Sequence, residues 1–319
     1  MVSLHDIRSA QSRIDGIAVR TPLLEWTGAA DHRQLFLKLE NLQPIGAFKL
    51  RGAYNKIVSL SEAERRRGVI SYSSGNHAQG VAYAARALGV KAIIVMPGNA
   101  PRNKLESTAA LGAEIVKVGP SSEERRLRAE ELAGEHGYAI VPPYDDEKII
   151  AGQGTAGLEI LEDLPEVETV LVPVGGGGLI SGISAALKLS KPSVKVIGVE
   201  PELAGDAQAS FRTGHIVSFE ADQVTRTMAD GLRTQSIGAL NFEHIKAYVD
   251  DIVTVKEDEI QRAMQALSGD TKTVAEPSGA VSVAGFLFHE EELPKTRFNV
   301  AVISGGNIDP ALLAEMRRR

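Results

Sequence analysis

Thr169-Val170-Leu171-Val172-Pro173-Val174-Gly175-Gly176-Gly177-Gly178-Leu179-Ile180-Ser181-Gly182 is the stretch on which the fold turns. Its first six residues form a largely apolar run, the pattern of a parallel strand covered on both faces. Four consecutive glycines follow, and a helix-like segment begins at once. Backbone N–H groups converge on an anion most readily where no Cβ intervenes, and a helix start adds its dipole. A merely tight turn would not need four residues that each cost conformational entropy. Strand, glycine loop and helix read as a phosphate site in an α/β protein.

The alternation continues on both sides. Short apolar runs predict strands over 35–39, 69–72, 92–96, 114–118, 169–174, 194–199 and 299–303. Helical patterns over 76–88, 101–111 and 121–135 each stop at or just before a glycine (Gly89, Gly112, Gly137), as helices commonly do. This is an α/β pattern with right-handed crossovers. Residues 68–144 hold three strand–helix units and are expected to form a small domain, with 1–67 and 145–319 building a larger one. No internal repeat or low-complexity linker is present.

At 319 residues the chain is long enough for two such domains. A net charge of −6 provides no basic stripe for phosphate backbones and argues against a nucleic-acid partner. Arg65-Arg66-Arg67, after Glu62 and Glu64, reads as a solvated helix end, and Arg317-Arg318-Arg319 as a solvated tail. With no cysteine, disulfides, thiolate metal sites and a cysteine nucleophile are excluded. The chain opens without an apolar leader, and no apolar run approaches the roughly 20 residues that cross a bilayer. A cytoplasmic enzyme without a membrane partner is expected.

Lys49 lies in Pro44-Ile45-Gly46-Ala47-Phe48-Lys49-Leu50-Arg51-Gly52-Ala53. Among such apolar neighbours an ammonium loses hydration, which favours the nucleophilic amine. An amine of this kind attacks carbonyls, including the aldehyde of pyridoxal phosphate (PLP). Its competing reading is a packed stem with the ammonium in water. The glycine loop has a rival reading too. Gly176, Gly178 and Ser181 approach a dinucleotide fingerprint, with Glu200 about one strand later.

Four motifs occur together and in order: the Lys49 segment, Ser73-Ser74-Gly75-Asn76-His77, the four-glycine loop and Ser304-Gly305-Gly306-Asn307. With them the chain resembles the fold-type II PLP enzymes of the serine/threonine dehydratase and serine racemase family. That resemblance implies a tryptophan synthase β-like fold, two open parallel-sheet domains with the cofactor between them. It implies that Lys49 bonds to the cofactor aldehyde, Phe48 packs on the ring and Asn76 faces the ring hydroxyl. Gly175, Gly176, Gly177 and Gly178 would hold the phosphate, Ser304 would face the ring nitrogen, and Glu276 would lie near the ring's substituents. Ser73, Ser74, Asn76, His77 and Arg125 would meet the substrate. Lys49 and Ser74 would act on opposite faces of Cα, a two-base arrangement suited to racemisation as well as elimination.

Other roles are open for these residues: Ser74 as a helix cap, Arg125 paired to a glutamate at helical spacing, and His77 in packing. Glu200-Pro201-Glu202-Leu203-Ala204-Gly205-Asp206 resembles the family's metal loop, with Glu200, Ala204 and Asp206 as oxygen ligands for Mg²⁺, Ca²⁺ or Mn²⁺. The implied activity is dehydration of a hydroxy amino acid of the L-serine/L-threonine type to a 2-oxo acid and ammonia, with serine racemase activity, in a homodimer. Alternatives are a 3-hydroxyaspartate dehydratase, a cysteine synthase-like β-replacement enzyme, a nicotinamide-dependent dehydrogenase and a non-catalytic amino-acid sensor. The chain ends soon after Asn307, so no distal regulatory domain is expected.

Overall fold

The computed structural model describes every residue except 28, 30, 31, 101, 120 and 317–319. The expected tail Arg317-Arg318-Arg319 and the first residue of the 101–111 helix, Pro101, lie outside the described residues. Among the described residues ten strands run β1 Leu23–Trp26, β2 Gln34–Leu39, β3 Val69–Tyr72, β4 Ala92–Pro97, β5 Glu114–Val118, β6 Ala139–Ile140, β7 Thr169–Pro173, β8 Lys195–Pro201, β9 Asp251–Val255 and β10 Phe298–Ile303.

They form two sheets. One has six strands in the order β1-β2-β10-β7-β8-β9, the other four in the order β5-β4-β3-β6. Only the β1–β2 pair is antiparallel; the remaining pairs are parallel. All seven expected strands are present, 69–72 and 114–118 with the expected ends and the others with one or both ends moved by a residue or two. The three that the apolar-run criterion missed, β1, β6 and β9, are short or lie at a sheet edge. An edge strand keeps polar residues such as Glu25 and Asp251, so it never presents the unbroken apolar run of an interior strand.

The expected helices lie at Asn76–Ala87, Arg102–Ala110 and Ser122–His136. The last is capped by the Ser121 side chain and ends on Gly137, whose φ of 71° is left-handed. Arg65, Arg66 and Arg67 close the helix Glu62–Arg67, as the charge pattern implies. No described helix is long and apolar enough to cross a membrane.

The helix Lys49–Val58 is the wedge between the sheets. Leu50, Ala53 and Ile57 share one apolar cluster with Val81 and Ala85 of the helix Asn76–Ala87 and with Ile149 of the helix Glu147–Asp163. One turn into the wedge, Arg51 is fully buried. It donates to Glu40 at 2.7 Å and to Glu159 at 2.7 Å. Lys38, also fully buried, reaches Glu159 and the Thr21 carbonyl, both at 2.6 Å. Two cations and two carboxylates thus neutralise one another behind the residue that faces the cleft.

Candidate active site

Three loops meet where parallel strands end: residues after β3, after β7 and after β10. Carboxyl ends of parallel strands are where open α/β sheets gather ligands. The fourth element is the Lys49 segment. It is stitched to the β10 loop by an Ala47–Gly305 bridge and a Phe48 N–H donated to the Ser304 carbonyl at 3.1 Å.

Lys49 Nζ donates to the Pro143 carbonyl at 2.7 Å. The chain around the amine excludes most water, and this burial pushes its pKa down to about 8. The next residue, Tyr144, lays its ring on the glycine loop. A Cβ on Gly176 would meet that ring at 2.3 Å, and one on Gly177, whose φ is +94°, would meet Asn241 at 2.8 Å. Gly176 and Gly177 leave the room that the aromatic ring and the Asn241 helix take up, and a Cβ on Gly175 or Gly178 would lie close to Leu232 or Tyr144, at 3.2 and 3.1 Å. Among the described residues, no acceptor takes a hydrogen bond from the N–H groups of residues 175–178, ahead of the helix Gly178–Ser190. The two residues Pro143 and Tyr144 therefore span from a nucleophilic amine to an anion cradle.

Ser73 and Ser74 lead into the helix Asn76–Ala87. Ser74 does not cap it; the cap position is Gly75, with no side-chain hydrogen bond. Ser74 Oγ instead accepts from Arg125 at 3.3 Å. The expected pairing of Arg125 with a helical glutamate is likewise corrected: Arg126 and Arg128 take Glu130 and Glu131, while Arg125 turns inward to Ser74 and Ser122. Burial lowers the pKa of its guanidinium. His77 is buried, with Nε2 at 3.0 Å from the Val141 carbonyl. Burial, then the nearby Lys49 charge, pushes its pKa down to about 3, so it is a neutral ring in a hydrogen-bonding role.

Asn76 Nδ2 donates to Glu276 at 2.6 Å, and Asn76 Oδ1 accepts from Asn307 at 2.8 Å. Glu276 is pushed up to about 7 by burial and, secondarily, by Asp230; its bond from Asn76 opposes the rise. Ser304 is buried, its hydroxyl 3.4 Å from the Ser278 carbonyl.

A model of pyridoxal-phosphate dependent enzymes matches residues 14–305. The chain belongs to that family. It is 48% identical to an L-threonine ammonia-lyase of Thermotoga maritima, over 97% of this chain and 76% of that protein. It is 42% identical to the L-threo-3-hydroxyaspartate ammonia-lyase of Saccharomyces cerevisiae, over 95% and 93%. The solved maize serine racemase matches with a TM-score of 0.94 at 37% identity, over 98% of this chain and 96% of that one.

As a PLP enzyme, the chain offers the cofactor an amine and a glycine cradle side by side, so its residues fit the group. The dinucleotide reading falls on geometry as well. Glu200 is fully buried and accepts from the N–H groups of Ala207 and Gln208 at 3.1 and 2.8 Å, so it cannot reach a ribose.

Sequence reasoning missed Pro143, Tyr144, Asp145 and Asn241. Asp145 accepts from Ala239, Leu240 and Asn241 N–H groups and so seats that helix start, while Asn241 Nδ2 donates to the Gly176 carbonyl at 2.8 Å. Pro142-Pro143-Tyr144-Asp145-Asp146 was visible as an unusual joint between the units. Nothing in it says that a main-chain carbonyl would hold the lysine.

Proposed function

We propose that this PLP enzyme is an ammonia-lyase that eliminates water from a hydroxy amino acid of the L-serine/L-threonine type, giving a 2-oxo acid and ammonia, and that it also racemises serine. The observation that carries the reading is the Lys49 amine, with its pKa lowered to about 8, set one residue from the ring that covers the glycine loop. In this reading Lys49 holds the aldehyde, residues 175–178 bind the phosphate through N–H groups, Phe48 supports the ring, Asn76 and Glu276 attend its oxygen, and Ser304 its nitrogen. PLP supplies a sink for the charge that develops at Cα when a proton leaves.

The other steps belong to the chain. Lys49, once free, takes the Cα proton; an amine of pKa about 8 is well matched to that task near neutral pH. Ser74, kept in place by Arg125, delivers or removes a proton at the opposite face. Ser73, Asn76 and His77 receive the substrate carboxylate. If Cα is reprotonated before the β-hydroxyl leaves, the enantiomer results; if the hydroxyl leaves first, the oxo acid results. Ser304 rather than a carboxylate at the ring nitrogen leaves the ring less strongly protonated, which favours prompt loss of the β-group over transamination.

A second reading has its own support. Arg125 is partly buried, takes no carboxylate among the described ion pairs, and touches Ser74. It suits a second carboxylate on the substrate, as in 3-hydroxyaspartate. The yeast relative acts on that compound by name.

A divalent cation at Glu200, Ala204 and Asp206 fits one feature of the site. Asp206 is buried with both oxygens unpartnered, beside Glu200, whose pKa is raised by burial and by Asp206. Among the described residues no three His, Cys, Asp or Glu side chains converge, so carbonyls and waters would have to complete the shell. We further propose that 68–144 is a small domain, that 1–67 and 145–319 together form the large PLP-binding domain, and that the enzyme is a cytoplasmic homodimer.

The test is incubation with L-serine, D-serine, L-threonine and the 3-hydroxyaspartate isomers, following oxo-acid release and enantiomer interconversion separately. Ser74→Ala should lose racemisation and keep elimination of the L-substrate; unchanged racemisation sinks the two-face assignment. Arg125→Ala should weaken turnover of 3-hydroxyaspartate more than that of serine if Arg125 reads the second carboxylate.

A further inference from the structure

The Asn307 side chain closes a hydrogen-bond chain whose direction is set at one end. Its Nδ2 donates to the Ile45 carbonyl at 2.8 Å and to Asn76 Oδ1 at 2.8 Å. A main-chain carbonyl can only accept, so the group facing it must be the amide nitrogen. Both hydrogens of that nitrogen are then spent, one on Ile45 and one on Asn76. The atom of Asn76 that receives the second must be its oxygen. Asn76 therefore turns its nitrogen the other way, where one hydrogen goes to Glu276 at 2.6 Å and the second stays unspent. Glu276, when ionised, accepts from the same nitrogen and agrees with this direction; when protonated it can face either end of a carboxamide, so the Ile45 carbonyl is the end that is fixed in both states.

The seat for Asn307 is built into the Lys49 segment. Gly46 has a φ of +72°, and a Cβ there would lie 2.4 Å from Asn307 Oδ1. Gly306 N–H donates to the Gly46 carbonyl at 2.9 Å and locks the two loops in register. Gly46 is thus required twice, for its left-handed backbone and for the room it leaves. This explains why a glycine three residues before Lys49 and an asparagine after β10 belong to one device.

We propose that Asn307 is a positioning residue: it fixes the polarity of the Asn76 carboxamide so that an N–H, and not the carbonyl oxygen, faces the ring oxygen of PLP. The proposal rests on the reading that Asn76 lies beside that oxygen. In Asn307→Asp every group facing Ile45 and Asn76 is an acceptor. Asn76 then gains by turning its nitrogen toward the new carboxylate, which leaves its oxygen against the ring oxygen.

The experiment strips the full-length protein of cofactor and measures equilibrium binding of PLP and of 3-deoxypyridoxal phosphate, which lacks the ring oxygen. The quantity read is the ratio of the two dissociation constants. The bond to Lys49 is common to both ligands, and Asn76→Ala supplies the intrinsic ratio without the amide. Wild type should exceed that intrinsic ratio about tenfold, the value of one hydrogen bond to a charged oxygen. Asn307→Asp should bring the ratio down to that of Asn76→Ala or below it. A role in stability alone would weaken both ligands equally and leave the ratio at the wild-type value, which overturns the proposal. A wild-type ratio equal to that of Asn76→Ala instead removes the Asn76 reading, and the relay with it. If Asn307→Asp does not fold, Asn307→Ala removes the donor without adding charge. An intermediate ratio is then expected, and a full wild-type ratio again overturns the relay.

Discussion

Two groups of ionisable residues, one including Arg51 and the other Lys49 of the same helix, behave in opposite ways. Arg51, Lys38, Glu40 and Glu159 are all deep in the protein, and each charge meets an opposite charge within 2.8 Å. By contrast, His77, Glu276 and Asp206 are buried and Lys49 is partly buried, but none has an opposite charge at contact. Their pKa values move to about 8, 3, 7 and 7, each mainly because burial disfavours the charged form. Burial alone does not mark a site. Burial without a compensating partner does, because such a group either gives up its charge, as His77 does, or changes protonation near neutral pH, as Lys49, Glu276 and Asp206 do.

Breaking the cleft group at its centre has the largest expected effect. Lys49→Ala should lower ammonia release by about a thousandfold or more, since it removes both the nucleophile and the base. It should leave thermal stability unchanged or raised, because a poorly hydrated amine is gone. A marked fall in stability would move Lys49 into the structural group.

Arg51→Met should do the reverse of this at the level of folding. The lost cation leaves Glu40 without a contacting opposite charge and Glu159 with Lys38 alone, at a cost of about 3–5 kcal/mol in denaturant unfolding. Replacing Lys38, Arg51, Glu40 and Glu159 together with apolar residues of similar volume should recover most of it. A single variant with full stability would show that the four charges are not coupled.

The third test is kinetic. The rate at which stripped protein takes up PLP should follow the unprotonated fraction of Lys49, levelling above pH about 8 and falling about tenfold per pH unit below it. A profile still rising beyond pH 10 would mean that the amine is solvated like an ordinary lysine.

The smallest effect is expected at Asp206. Its folded pKa of about 7 lies above the ordinary 3.8, so the folded state binds the proton more tightly. Without a divalent cation, stability should therefore fall as pH rises from about 4 through 7. Magnesium should restore it at pH 8, and Asp206→Asn should flatten both responses. A pH trend without a magnesium response would leave the pair as proton-sharing carboxyls.

Much of the architecture was legible because interior strands and glycine-stopped helices carry their patterns locally. β7 with its four glycines, and β3 with the helix after it, each announced themselves in a dozen residues. The edge strands β1 and β9 did not, since solvent on one side permits Glu25 and Asp251. The candidate residues were legible as types: Lys49 is linked through Pro143 and Tyr144 to the glycines, and its segment contacts Ser304 directly and Asn76 through Asn307. Their wiring was not. That Ser74 answers to Arg125 rather than capping a helix depends on how a helix from another unit lies across it.

The sequence by itself determined that an amine in apolar surroundings and a glycine anion cradle exist in one α/β chain, because backbone conformation and side-chain chemistry are local properties. Tertiary structure alone decided what stands beside them. The Pro143 carbonyl holds the amine, Tyr144 covers the glycines, and Asn307 reaches Asn76 from 231 positions away. Which buried charge is neutralised and which is left reactive is a matter of distance between atoms far apart in the chain, and that distance is set only when the two sheets pack around the Lys49 helix.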